Sequence, residues 1–182
     1  MKLLCIDTET SGLNPDTCEI VELSYQPWEN FVRGAMVSET FRALGNTEHP
    51  DFVAAAKING YTNDNRAGSV ALTARHIAAC FAAIDAAEGV VVGANPAFDW
   101  GFLKTAAERL RVPLPASRVR LVDVASLAVP MYAAGKVEGM SLRNLVKLVG
   151  KTQGDVHTSK QDVELTLDVF EFLCRAYIKA LV

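Results

Sequence analysis

The chain has 182 residues, half of them apolar and 21% charged, which suits one well-packed domain and excludes a disordered or low-complexity chain. No apolar run reaches the roughly 20 residues that span a bilayer; the opening residues meet Asp7 too soon for a signal peptide, and four scattered cysteines without a Cys-x-x-Cys pair indicate neither a disulfide framework nor a zinc knuckle. A reducing cytoplasm is the expected compartment, and the formal net charge of −3 is the wrong sign for a protein that holds nucleic acid by charge alone.

In chain order, residues 3–6 form a continuously apolar run, the pattern of a central strand covered on both faces. Residues 7–12 read as the end of that strand and a turn. Residues 19–25 predict a second strand, Pro27 and Asn30 a polar turn, and residues 31–41 a third extended stretch. The period then changes. Residues 51–58 and 69–87 carry alanine-rich helical patterns, with Asn59-Gly60 as a stop. Residues 90–93 predict a buried fourth strand. Asn95 as cap and Pro96 at the first helical position start a helix that runs to Arg111. A fifth strand is expected at 119–122, ending at Asp123, and helices near 124–133, 141–149 and 159–180. With no repeat, linker or shift in composition, residues 1–182 read as a single domain. The order β-β-β-α-β-α-β-α predicts a mixed α/β sandwich with one antiparallel strand.

Several polar residues stand where charge is costly. Asp7 and Glu9, two apart at the end of a strand, share one face. They form either a solvated turn or a pair of carboxylates that needs a cation between them. Asp99 is the fourth helical residue after Asn95, among Phe98, Trp100, Phe102 and Leu103; it either favours the helix dipole or has a partner elsewhere. Thr158-Ser159-Lys160-Gln161 is a capping-box pattern, with Thr158 as cap. That places His157 in the preceding loop and Asp162 one turn inside a strongly apolar final helix. Each residue alone has a structural explanation.

Together, Asp7-Thr8-Glu9-Thr10-Ser11-Gly12-Leu13, Asn95-Pro96-Ala97-Phe98-Asp99 and His157 four residues before Asp162 resemble the DEDD-type 3′→5′ exonucleases with a catalytic histidine, the DnaQ-like family. Ile58-Asn59-Gly60-Tyr61-Thr62, Leu121-Val122-Asp123 and Ser141-Leu142-Arg143-Asn144-Leu145 are weaker matches, so the resemblance spans nearly the whole chain. Asn59, Ala94 and Ser159 depart from residues the family often has, which are His, His and Ala. None of the three is a proposed ligand or the base.

The resemblance implies a ribonuclease H-like α/β fold, a five-stranded mixed β-sheet with helices on both faces. It implies two divalent ions, Mg²⁺ or Mn²⁺, held by Asp7, Glu9, Asp99 and Asp162, hard oxygen donors suited to such metals. His157 is implied as general base toward the attacking water. The expected reaction releases nucleoside 5′-monophosphates from the 3′ ends of single strands. Thr8, Thr10, Ser11, Gly12 and Leu13 are the expected contacts to the terminal nucleotide, together with Asn95 and Phe98; Phe98 has core packing as its alternative. The expected partner is the 3′ end of single-stranded DNA, or alternatively RNA; a homodimer is open, and neither a membrane nor a polymerase partner is indicated. A non-catalytic nucleic-acid-binding module is the remaining alternative, weighed against five intact site residues. With the four ligand carboxylates set aside, the balance of −3 becomes +1, and phosphate meets the field of the metals instead.

Overall fold

The computed structural model describes residues 1–45, 47–62, 64–65 and 69–181. Its strands are β1 (Lys2–Thr10), β2 (Ile20–Glu29), β3 (Val32–Arg33), β4 (Val37–Thr40), β5 (Val90–Gly93) and β6 (Arg120–Asp123). Its helices are α1 (Pro50–Asn59), α2 (Ala74–Ala86), α3 (Pro96–Leu110), α4 (Val124–Leu127), α5 (Val129–Ala133), α6 (Leu142–Leu145) and α7 (Ser159–Leu181), with a 3₁₀ turn at Val146–Val149. The sheet runs β3-β2-β1-β5-β6, and β4 also pairs with β2. Strands β5 and β6 run parallel to β1, whereas β2 is antiparallel to β1, β3 and β4. The single antiparallel strand is as expected.

Six strands stand where five were expected, because the third stretch is broken in two. Asn30 and Phe31, both at positive φ (48° and 67°), turn β2 tightly into β3. Pro27 is not in that turn but inside β2, opposite Leu4. Its carbonyl accepts from Gly34 N–H at 2.7 Å, so the side lacking an N–H faces residues 34–36, where β3 has ended and β4 has not begun. A proline is tolerated in a strand where the ladder is interrupted.

Other boundaries have similar causes. Strand β1 continues past residue 6 to Thr10, so the two acids lie on the strand and not in a turn. Helix α2 starts at Ala74 rather than 69 because Arg42 N–H donates to Val70 O and Thr73 N–H to His76 Nδ1, both at 3.0 Å, which holds the segment before Thr73 out of the helix. The helix expected over 124–133 is two short ones meeting at Ala128, with Pro130 near the start of the second.

Alternation along β1 sorts the core into two layers. Leu4 and Ile6 pack with Ile77, Phe81 and Ile84 of α2 and Leu103 of α3. Leu3 and Cys5 pack on the other face with Val163, Leu167 and Phe170 of α7 and Leu145 of α6. Helices therefore cover both faces, and each fully buried aliphatic side chain contributes roughly 1.5–3 kcal/mol. The same alternation aims Asp7 and Glu9 toward the α7 layer and Thr8 toward the α3 layer.

Candidate active site

Asp7 and Glu9 lie near the C-terminal end of the central strand, half-buried. On the β5 side that strand runs out of partners: β5 ends at Gly93 and the chain turns into α3. Gly93 is required there, since a Cβ would sit 2.9 Å from the Pro96 Cβ. Asp99, in the first turn of α3, fills the gap. Its Oδ1 accepts from Thr8 N–H at 2.8 Å and from Thr8 Oγ1 at 2.7 Å, so a carboxylate takes the place of a strand carbonyl.

Pro96 opens α3 as expected, but the Asn95 side chain makes no capping hydrogen bond. Asn95 is instead left-handed (φ 63°, ψ 53°), a conformation asparagine tolerates better than most residues. Its N–H donates to Asp123 Oδ1 at 3.2 Å, and the same oxygen caps α4 through Ala125 N–H at 3.0 Å. Asp123 thereby links the end of β6 to the turn that places Asp99.

The first turn of α7 arrives from the opposite layer. Thr158 Oγ1 accepts from Gln161 N–H at 3.3 Å, so Thr158 caps the helix as expected. Ser159 is fully buried: its hydroxyl lies 2.7 Å from Ser24 Oγ, and its N–H donates to Glu22 Oε2 at 3.3 Å. These contacts dock the helix onto β2 and carry Asp162 inward. His157 N–H donates to Ile58 O at 3.1 Å, which ties the histidine loop to α1. His157 Nδ1 is 3.2 Å from Asp162 Oδ2. Ligand atoms of Glu9, His157 and Asp162 all fall within 4.8 Å of one another. Asp7, His157 and Asp162 line one cleft of about 400 Å³, walled by α6 and the turn at Asn95.

The electrostatics of this cluster are those of crowded acids. Burial, then the charges of Asp99, Asp162, Glu9 and Glu22, hold Asp7 well above the usual carboxylate range. Burial, followed by Asp162 and Glu22, pushes Glu9 up to about 8. Burial pushes Asp99 up to about 6 against the opposing hydrogen bonds from Thr8. Asp162 is raised by burial and held back by hydrogen bonds from Gln153 and His157. Among the described residues no lysine or arginine pairs with Asp7, Glu9, Asp99 or Asp162. Hard oxygen donors converging without a lysine or arginine form a donor set that fits divalent cations.

The expected substrate contacts are placed unevenly. Thr8 serves Asp99. Thr10 Oγ1 donates to Gly12 O at 2.6 Å, and Ser11 Oγ accepts from Glu19 N–H at 2.8 Å, so these buried hydroxyls are spent on the shape of their own loop. Gly12 is buried as well, whereas Leu13 and Asn95 are exposed, Asn95 on the wall of the cleft. Phe98 is half-buried, its ring 4.9 Å from Phe102 and packed against the α2–α3 layer.

Three further residues belong to the site. Glu22, buried, stands directly across β2 from Glu9; an acid inside the apolar run Ile20-Val21-Glu22-Leu23 was its sequence signal. Asn59, buried at the end of α1, donates to Thr10 O at 3.1 Å and hydrogen-bonds Glu9. Gln153, in the loop before α7, bonds Asp162 and had no local signal.

A family model described as exonuclease, RNase_T, matches residues 4–170. No curated protein sequence matches. Among solved structures, the zinc-bound complex of E. coli exonuclease I with single-stranded DNA superposes with a TM-score of 0.74 at 18% identity, covering 96% of this chain and 40% of that one. Exonuclease I with a dT13 oligonucleotide gives 0.76 at 17% identity, covering 99% and 42%. The chain thus spans about two fifths of the length of those proteins, and the likeness is one of fold. With the family match running across both core layers and all the site acids, the chain belongs to the RNase_T exonuclease family.

Proposed function

We propose that residues 1–182 act as a single 3′→5′ exonuclease domain, releasing nucleoside 5′-monophosphates from single-stranded nucleic acid with DNA preferred. The observation that carries the reading is the convergence of acids from β1 and α7 beside a histidine in one cleft, with Asp99 of α3 near enough for its charge to raise Asp7. Asp7, Glu9, Asp99 and Asp162 are the residues to hold two divalent ions, Mg²⁺ or Mn²⁺. When bound, such ions supply the positive charge that offsets the phosphate and the charge growing on the departing 3′ oxygen. His157, at the mouth of the acid cluster, is the group to accept the proton of the attacking water. Thr8 keeps Asp99 oriented, and the exposed Leu13 and Asn95 are left to meet the terminal nucleotide. The preference for DNA is supported by fold neighbours solved with single-stranded DNA.

The test uses two matched single strands, one DNA and one RNA, labelled at the 5′ end and incubated with Mg²⁺. Asp7→Ala and EDTA serve as controls. A ladder shortening from the 3′ end, absent in both controls and faster on DNA, is the expected result. Faster shortening of RNA would reverse the substrate assignment, and no shortening of either strand with Mg²⁺ or Mn²⁺ would refute the enzyme.

A further inference from the structure

The loop from Gly150 to Val156 is solvent-exposed at every residue except Gln153, which is buried. Burying a primary amide from a surface loop is costly unless its hydrogens are used. Gln153 Nε2 donates to Asp162 Oδ1 at 2.7 Å and lies 3.2 Å from His157 Nδ1. The other Asp162 oxygen, Oδ2, lies 3.2 Å from the same His157 nitrogen. The three side chains close a triangle. The loop is braced beside it, where Arg143 Nη2 donates to Gly154 O at 3.2 Å and His157 N–H reaches Ile58 O.

We propose that Gln153 is a positioning residue that fixes the Asp162 carboxylate and the His157 ring relative to one another. This rests on the exonuclease reading above. The chemistry of the side chain suits the task. An amide nitrogen only donates, so Gln153 gives an N–H to Asp162 Oδ1 and holds the His157 ring by contact at 3.2 Å, while His157 Nδ1–H donates to the other Asp162 oxygen. It carries no charge, so it orients a carboxylate without cancelling the negative potential that attracts a cation. A lysine in its place would compete with the metal. With Oδ1 occupied by the amide, Oδ2 is the oxygen left facing His157 and the cleft. Partners of this kind, which hold a ligand rather than touch the ion, set ligand geometry and are worth about 10–100-fold in metal affinity or activity.

The test is Gln153→Met, which keeps length and volume without the donors, with Gln153→Asn as a second variant whose amide is one methylene shorter. Mn²⁺ binding is titrated calorimetrically without nucleic acid, and kcat and KM are measured on a DNA oligonucleotide. The expected result for Gln153→Met is Mn²⁺ affinity weaker by about 10–100-fold, kcat reduced at saturating metal, KM unchanged and thermal unfolding in EDTA close to wild type. Gln153→Asn recovers part of the Mn²⁺ affinity, and it decides the matter if the methionine variant does not fold. Wild-type Mn²⁺ affinity and kcat in the folded variants would overturn the assignment. If the wild type shortens no strand, the exonuclease reading fails, while the Mn²⁺ titration still tests Gln153.

Discussion

Replacing Glu9 by Gln should make the metal-free protein more stable while abolishing its activity. Glu9 is an ordinary glutamate in the unfolded chain, at 4.5, but is pushed up to about 8 in the folded one by burial and by Asp162 and Glu22. Between those values the folded chain holds a proton that the unfolded chain has released. Stability is therefore full below 4.5 and falls as pH rises through that window. At about 1.4 kcal/mol for each pH unit, the loss by pH 8 has a ceiling on the order of 5 kcal/mol. Glutamine mimics the protonated carboxyl and escapes it. For a chain of this size about 2–4 °C accompanies each kcal/mol, so the variant should melt up to roughly 10–20 °C above wild type at pH 8 in EDTA. At pH 5 both chains are neutral at this position and the gap should nearly vanish. Mg²⁺ should raise the wild-type melting temperature at pH 8 and move the variant far less. Differential scanning calorimetry at the two pH values, with and without Mg²⁺, reads all of this. An equal gain at pH 5 and pH 8, or none at pH 8, would refute the argument that crowded charge destabilises this cleft.

His157→Ala should lose turnover by about 10²–10⁴-fold while oligonucleotide binding, measured by fluorescence anisotropy with Ca²⁺ in place of Mg²⁺, stays near wild type; near-normal turnover would remove the histidine from the base role. Thr8→Val deletes the hydroxyl that donates to Asp99 at 2.7 Å. It should cost about 1.5–3 kcal/mol at pH 7.5 and raise the Mg²⁺ concentration for half-maximal activity, and an unchanged melting temperature would count against that bond. Gly12→Ala places a Cβ 2.5 Å from Cys18 Sγ. It should destabilise by about 1–3 kcal/mol, and adding Cys18→Ala should recover most of the loss; no recovery would mean that the contact is not the cause.

Much of this architecture can be read along the chain because its determinants are local. The apolar run at 3–6, the period change near residue 50, Pro96 at a helix start and Thr158 as a cap each act within a few residues. The single antiparallel strand also follows from element order. What escapes is what depends on pairing. The third strand is continuous in pattern, but its neighbour brings Pro27 against it, which nothing in its own sequence announces; the break at residues 34–36 comes from the partner. Asn95 has the residue type of a helix cap, yet the turn after Gly93 sends its N–H to Asp123, on another strand. Among the site residues, Asp7, Glu9, Asp99, His157 and Asp162 stand out as charges in apolar or strand-end settings. Gln153 and Asn59 are unremarkable in sequence, and only the closed fold brings them to Asp162 and Glu9.

The bond from Thr8 N–H to Asp99 has one more consequence. A backbone amide inside a sheet normally exchanges its hydrogen with water only when the neighbouring strand opens. Here the acceptor is a side chain delivered by a helix, so exchange at this one amide reports on the seating of that helix and not on the sheet. Comparing Thr8 with its neighbour Ile6 on the same edge of β1 would separate a local loosening of the acid-bearing end from breathing of the whole domain, without substrate or metal present.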